Sequence, residues 1–282
     1  MTIAITGATG HLGRFVVQNL KDRVGAGRIV ALVRSVGKAA DLGVTARAFD
    51  YTSDPATLEK VLAGVDTLVL ISSSEVGQRA AQHRNVIAAA KMAGVGRVVY
   101  TSLLRADTSP LSLAGEHRET EEALKASGLA YTILRNGWYS ENYTGSVPAA
   151  LANGAFFGSA GAGRIASAAR ADYAEAAAIV ASGEGHANRT YELAGDAAYT
   201  LADLAAEISR QTGKDIPYKD LPEADYAAAL EGAGLPAPLA QAIAGWDVSA
   251  AQGALFDDGH VLSGLLGHAT TPIATSVAQA LK

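Results

Sequence analysis

The chain contains no cysteine, which excludes disulfides, thiolate-bound metals and cysteine nucleophiles. Its six histidines (His11, His83, His117, His186, His260 and His268) show no HExxH or comparable spacing, so no metal site is expected. Positive charge is scarce: 23 Lys and Arg against 28 Asp and Glu leave a net charge of −5. No global basic field therefore draws the chain to nucleic acid or to an anionic membrane surface. No apolar window approaches the roughly 18 residues needed to cross a bilayer, and no basic, apolar-cored leader opens the sequence. These absences predict a protein of the cytoplasm with a small-molecule partner.

The apolar residues are plentiful, at 49% of 282, and in the first half they are rhythmic. Short runs rich in Val, Ile and Leu occupy Ile3–Ile5, Ile29–Val33, Val44–Phe49, Thr67–Ile71, Val98–Thr101 and Tyr131–Leu134. They scarcely alternate in polarity, as expected of strands covered on both faces. Helical patterns lie between them at His11–Asp22, Pro55–Leu62, Gly77–Met92 and Leu113–Ala126. This alternation predicts α/β architecture with a doubly wound parallel sheet of the Rossmann kind. The rhythm stops near Asn136. We expect a dinucleotide-binding domain over residues 1–150 and a smaller mixed α/β domain over 151–282, with the chain free to cross between them and the default ligand crevice where they meet. In the second stretch, Leu201–Gln211 reads as a helix with Thr200 as N-cap and Gly213 beyond its end.

Residues 6–13 read TGATGHLG directly after the first apolar run. Gly7 allows a tight turn off the strand, Gly10 lets backbone approach a pyrophosphate, and Gly13 lets the next helix pack closely. The phosphates then meet the positive end of that helix. A glycine triplet alone is weak, but this one follows a strand and opens a helix, the context the chemistry requires. At the end of the second strand stands Arg34, where an acidic residue would hold a ribose 2′-hydroxyl; an arginine suits a 2′-phosphate, with Lys38 as a second charge. NADPH is therefore expected over NADH. Hydroxyls at the carboxyl ends of two further strands, Ser72, Ser73 and Ser74 and then Thr101 and Ser102, are candidates for the ribose and carboxamide. Ser74 serves equally well as a helix cap.

One proton-transfer device is missing. Ketone-reducing short-chain dehydrogenases use Tyr-x-x-x-Lys, and none of the ten tyrosines here has a lysine four residues on. An acceptor that takes hydride without a strong general acid, such as a quinone, fits better, with the protein supplying proximity and orientation. The segment NGWYSENY (136–143) concentrates three aromatics and three amide or carboxylate side chains just past the last strand. It suits a wall for a flat ring. His117 is expected to be a solvated helix residue and His83 a packed one.

TGATGHLG, ISSSEVGQRA (71–80), YTSLLRADTSPL (100–111) and LRNGWYSENY (134–143) together resemble the type 2 NAD(P)H:quinone oxidoreductases, within the NmrA-like atypical short-chain dehydrogenase/reductases. YELAGD (191–196) and ALFDD (254–258) extend the likeness over nearly the whole chain. The resemblance implies an NADPH site and quinone reduction. By motif, Gly7, Ala8, Thr9, Gly10, His11, Leu12 and Gly13 would line the phosphates, and Arg34 with Lys38 the 2′-phosphate. Asn136, Trp138, Tyr139, Asn142 and Tyr143 would surround the nicotinamide and acceptor, Asn136 and Tyr139 acting in catalysis. It also admits a homodimer, and two alternatives on the same fold: a sensor of NADP(H) redox state with little turnover, and a reductase of triphenylmethane dyes.

Overall fold

The computed structural model describes all residues, Met1 to Lys282. In chain order the first elements are β1 (Ile3–Thr6), α1 (His11–Val24), β2 (Ile29–Val33), β3 (Thr45–Ala48), α2 (Pro55–Leu62), β4 (Thr67–Leu70), α3 (Arg79–Met92), β5 (Arg97–Leu103), α4 (Ala114–Ala126) and β6 (Ala130–Asn136). There follow α5 (Ser140–Thr144), α6 (Val147–Asn153), β7 (Phe156–Gly158), α7 (Arg170–Ser182) and β8 (Arg189–Leu193). The chain ends with α8 (Leu201–Thr212), β9 (Tyr218–Asp220), α9 (Glu223–Gly232), α10 (Ala237–Ala251), α11 (Val261–Leu266) and α12 (Ile273–Ala280). No helix is long and apolar enough to cross a membrane.

Contacts divide the chain into two units. The first comprises Met1–Asp107, Leu113–Asn136 and Arg170–Leu193, and the second the remainder. The first unit is built on one parallel sheet of order β3-β2-β1-β4-β5-β6-β8. β1 pairs with β2 on one side and with β4 on the other, so the chain reverses direction across the sheet at this point. Residues of β1, β2 and β4 are buried throughout. Their apolar runs read as strands because both faces are covered, one by Leu58 and Leu62 of α2 and Val86, Ile87 and Ala90 of α3. β3, at the edge, is partly exposed.

Two elements expected with the second domain, β8 and α7, belong to this first unit. β8 pairs in parallel with β6, from Thr132↔Arg189 to Asn136↔Leu193. The reason lies partly in a buried guanidinium: Arg135 of β6 contacts both oxygens of Glu121 in α4 (2.9 and 2.8 Å) and Glu192 of β8 (2.7 Å). Removing one member of such a buried group leaves an uncompensated charge, at a cost of about 3–5 kcal/mol. α7 packs against α1. Its alanines 174, 176, 177, 178 and 181 are all buried, which leaves no amphipathic stripe to announce where it docks.

The second unit holds a two-stranded parallel sheet, β7 with β9. Leu201, Leu204 and Ile208 of α8 and Ala240 and Ala244 of α10 are buried within it. As expected, Thr200 caps α8, in a reciprocal arrangement with Asp203, and Gly213 ends it at φ +67°.

Candidate functional site

β1 hands the chain to α1 through a turn only glycine can make easily. Gly7 sits at φ +59°, and its carbonyl accepts from the Gly10 N–H at 2.9 Å. A Cβ on Gly13 would lie 2.2 Å from the Gly7 carbonyl oxygen and 2.8 Å from the Ala8 Cα. The close approach that Gly13 permits is therefore between the first helical turn and the backbone just after β1. Gly10 is the N-cap of α1, no side chain caps the helix, and no acidic residue occupies its first turn. Its leading N–H groups are left for an anion, favoured further by the helix dipole.

This end of α1 opens on a cavity of about 660 Å³. Of the residues expected at the cofactor, Gly7, Thr9, Gly10, His11, Leu12, Gly13, Arg34, Lys38, Ser72, Ser73 and Ser74 line it together. Arg34 is largely exposed and pairs with Glu75 at 3.2 Å. Arg14 also reaches the cavity but is engaged by Asp41 at 2.5 Å and by the Lys38 carbonyl at 3.4 Å.

The loop after β4 is held residue by residue. Ile71 donates to Thr6 Oγ1 (2.9 Å), and its carbonyl accepts from the Tyr51 hydroxyl (2.7 Å). The Ser72 N–H donates to Thr101 Oγ1 (2.9 Å). Ser73 has both backbone groups secured by α3: its N–H donates to His83 Nε2 (3.0 Å), and its carbonyl accepts from Arg79 Nε (2.7 Å). Gly77 donates to both carboxylate oxygens of Glu116 at 3.1 Å. Ser74 does not cap α3, whose N-cap is Gln78 with no side-chain hydrogen bond; it lines the cavity instead.

Below this loop, the rings of Tyr51, His83, Tyr100 and His117 follow one another at centroid distances of 6.0, 5.4 and 5.9 Å. His83 is fully buried, as expected of a packed residue. His117 is not the solvated residue its charged neighbours suggested. It is 5% exposed and shares a 2.7 Å hydrogen bond with the Tyr100 hydroxyl. Arg118, Glu119, Glu122 and Lys125 of α4 are exposed, while Glu121 is buried with His117. Burial, with the positive charge of Arg79, pushes both imidazoles down to about 3, so both are neutral at pH 7. His83 Nε2 accepts from Ser73, which assigns its proton to Nδ1, facing Thr120 Oγ1 at 3.1 Å.

The other expected residues do not line this cavity. Ala8 is fully buried. Thr101 supports Ser72, and the Ser102 hydroxyl donates to Glu121 Oε1 at 2.6 Å. Asn136 ends β6 and is 3% exposed. The rest of NGWYSENY belongs to the second unit. There Trp138 packs edge-on against Trp246 at 5.6 Å, Tyr139 forms a bridge with Ala168, and the Tyr143 hydroxyl donates to Asp247 at 3.2 Å. Tyr139 is half-buried and Asn142 exposed. Burial pushes the Asp247 carboxyl up to about 6.

A sequence profile of NAD(P)H-binding proteins matches residues 7–182. Over 278 residues the chain is 60% identical to quinone oxidoreductase 2 of Escherichia coli (strain K12), covering 98% of this chain and 97% of that one. The chain belongs to the type 2 quinone oxidoreductases of the NmrA-like NAD(P)H-binding family. The structure of the NADPH-dependent quinone oxidoreductase from Escherichia coli in complex with NADPH matches at a TM-score of 0.97 and 58% identity, over 100% of both chains. A triphenylmethane reductase from Citrobacter sp., complexed with NADP(H), matches at a TM-score of 0.95 and 36% identity, over 99% of this chain and 100% of that one.

For a type 2 quinone oxidoreductase the cavity is well suited to its cofactor. A Gly-opened helix end for the pyrophosphate and exposed basic side chains for a 2′-phosphate occur in one space, at the carboxyl ends of β1, β2 and β4. Sequence reasoning missed Asp50, Tyr51, Glu75 and Gln82, which also line it. The signal was available for two of them: Asp50 and Tyr51 follow β3, and the rule that ligands gather beyond strand ends covers that strand as it does the others.

Proposed function

We propose that the protein reduces quinones with NADPH by direct hydride transfer. The observation that carries this is the bare, glycine-opened end of α1 facing a cavity that also holds Arg34 and Lys38. The 60% identity to the Escherichia coli quinone oxidoreductase over nearly the full chain supports the choice of acceptor. NADPH supplies a hydride, and together with one proton from water it converts the quinone to a hydroquinone, leaving NADP⁺.

The chain's own contribution is binding and orientation. Gly7 makes the turn, Gly13 lets α1 pack against it, and Gly10 leaves room for a pyrophosphate whose charge the first N–H groups of α1 meet. Arg34 and Lys38 hold the 2′-phosphate, and the Ser72–Ser74 segment, fixed by His83, Arg79 and Thr101, presents hydroxyls to the ribose. Asn136 and Tyr139 are the residues assigned to orienting the acceptor, and Asn142 is assigned to the nicotinamide and acceptor surroundings. Trp138 and Tyr143, tied to Trp246 and Asp247, keep that segment in place. No Tyr-x-x-x-Lys pair is needed because charge arriving on a quinone spreads over the ring. The same reading places the enzyme in the cytoplasm and allows a homodimer, which light scattering would reveal.

The test is NADPH consumption by the purified protein with and without 1,4-benzoquinone, corrected for the uncatalysed reaction, on wild type, Asn136→Ala and Tyr139→Phe. Quinone-dependent turnover that falls in both variants is expected. Tight NADPH binding with no turnover would replace the enzyme with a sensor of the dinucleotide.

A further inference from the structure

Arg34 does not stand alone at the rim of the cavity. Its Nη1 lies 3.2 Å from Glu75 Oε1. The other carboxylate oxygen, Oε2, accepts from Gln82 Nε2 at 2.7 Å, and the Glu75 N–H is anchored by Ser73 Oγ at 3.2 Å. Gln82 is itself 5% exposed. Glu75 is therefore held at backbone and at both oxygens, unlike an acidic side chain that swings freely in solvent. It projects from the loop whose backbone is fixed by Thr6, Thr101, His83 and Arg79. Asp50, across the same cavity, has its carboxyl held below the usual range chiefly by Thr52, with Arg34 adding a smaller share. Arg34 thus faces two acids in the space where its role is to meet a phosphate.

We propose that Glu75 is a specificity-determining residue: its fixed carboxylate competes with the cofactor's 2′-phosphate for Arg34 and so narrows the enzyme's preference for NADPH over NADH. The proposal rests on the assignment of Arg34 to the 2′-phosphate. A dianionic phosphate must draw the guanidinium away from Glu75 or share it, whereas a ribose hydroxyl asks neither. A carboxylate is also the group that accepts a hydrogen bond from a ribose hydroxyl. Because both partners are substantially exposed, 73% and 45% by side chain, the competition is modest in size.

The measurement is calorimetric binding of two fragments, adenosine 2′,5′-bisphosphate and adenosine 5′-monophosphate, to wild type, Glu75→Gln, Arg34→Ala and the double variant. In Glu75→Gln the bisphosphate should bind about three- to fivefold tighter, the monophosphate no tighter, and the gain should vanish in the Arg34→Ala background. An equal change for both fragments, no change for either, or a gain that persists without Arg34 would each overturn the proposal. The assignment of Arg34 is judged separately. If Arg34→Ala alone leaves the ratio of the two affinities unchanged, that assignment fails whatever Glu75 does.

Discussion

Two helices of this protein begin in opposite ways. At α8, Thr200 Oγ1 accepts from the Asp203 N–H at 3.1 Å, and Asp203 Oδ2 accepts from the Thr200 N–H at 2.8 Å, so the helix closes its own start. At α1, Gly10 offers no side chain, the first turn holds no acid, and a cavity stands in front. The first arrangement is scaffold: Thr200 and Asp203 spend their polar side chains on each other's backbone. The second is left for something from outside to complete. Local sequence chooses between them. Thr and Asp three apart make a box, whereas glycines at 7, 10 and 13 make an open cradle.

Substitution at the cradle's glycines should break this contrast most severely, and in two distinguishable ways. Gly13→Ala puts a Cβ 2.2 Å from backbone oxygen. It should cost about 3 kcal/mol or more of stability, read as a lower thermal midpoint. Gly10→Val starts from φ −74° and a single 3.1 Å contact, so the protein should fold. NADPH affinity should nevertheless fall at least about a hundredfold, roughly 2.7 kcal/mol, because the side chain fills the phosphate space. A Gly10→Val variant that still binds NADPH as wild type does would refute the cradle.

Acid separates the two units of the chain next. His83 and His117, in the first unit, are neutral when folded, with pKa near 3 rather than 6.5. The unfolded chain takes up protons on them below about pH 6.5, so their contribution to stability is full above that pH and is lost as pH falls toward 3. Asp247, in the second unit, has the opposite sign. Its carboxyl is pushed up to about 6 from 3.8, so protonation between these values favours the folded state. The net loss between about pH 6.5 and pH 5 should be about 2 kcal/mol, measured by denaturant unfolding. Asp247→Asn should remove the offset and steepen the loss. An unchanged slope would show that Asp247 ionises normally.

The smallest effect lies at the closed helix start. Thr200→Ala should cost about 1 kcal/mol of stability and leave NADPH affinity unchanged, since this start serves only the fold. A loss of affinity would erase the distinction between the two helix ends.

Much of this could be read from the residues. The strands of the first half, the helix at Pro55–Leu62 and the cap at Thr200 are encoded in short range, where hydrophobic pattern and capping chemistry act. The glycine turn and the shared cavity of its helix end with Arg34 were legible for the same reason, since the signal sits within one βαβ unit. The membership of β8 in the main sheet, and of α7 in the same unit, was not. It depends on Glu192 meeting Arg135, 57 residues earlier in the chain, and on an alanine helix that carries no directional stripe. The burial of His117 escaped for a similar reason: its charged neighbours in sequence conceal the tyrosine it meets in space. The engagement of Arg34 by Glu75, 41 residues apart, is likewise a fact of the assembled loops.

The most direct test of the account is a titration of wild type and Arg34→Ala with NADPH and with NADH. The account predicts that the variant loses about tenfold or more in affinity for NADPH, as expected for one charge-assisted contact, and stays within about twofold for NADH. An equal loss for both cofactors, or none for NADPH, would contradict the assignment of this cavity to the 2′-phosphorylated dinucleotide.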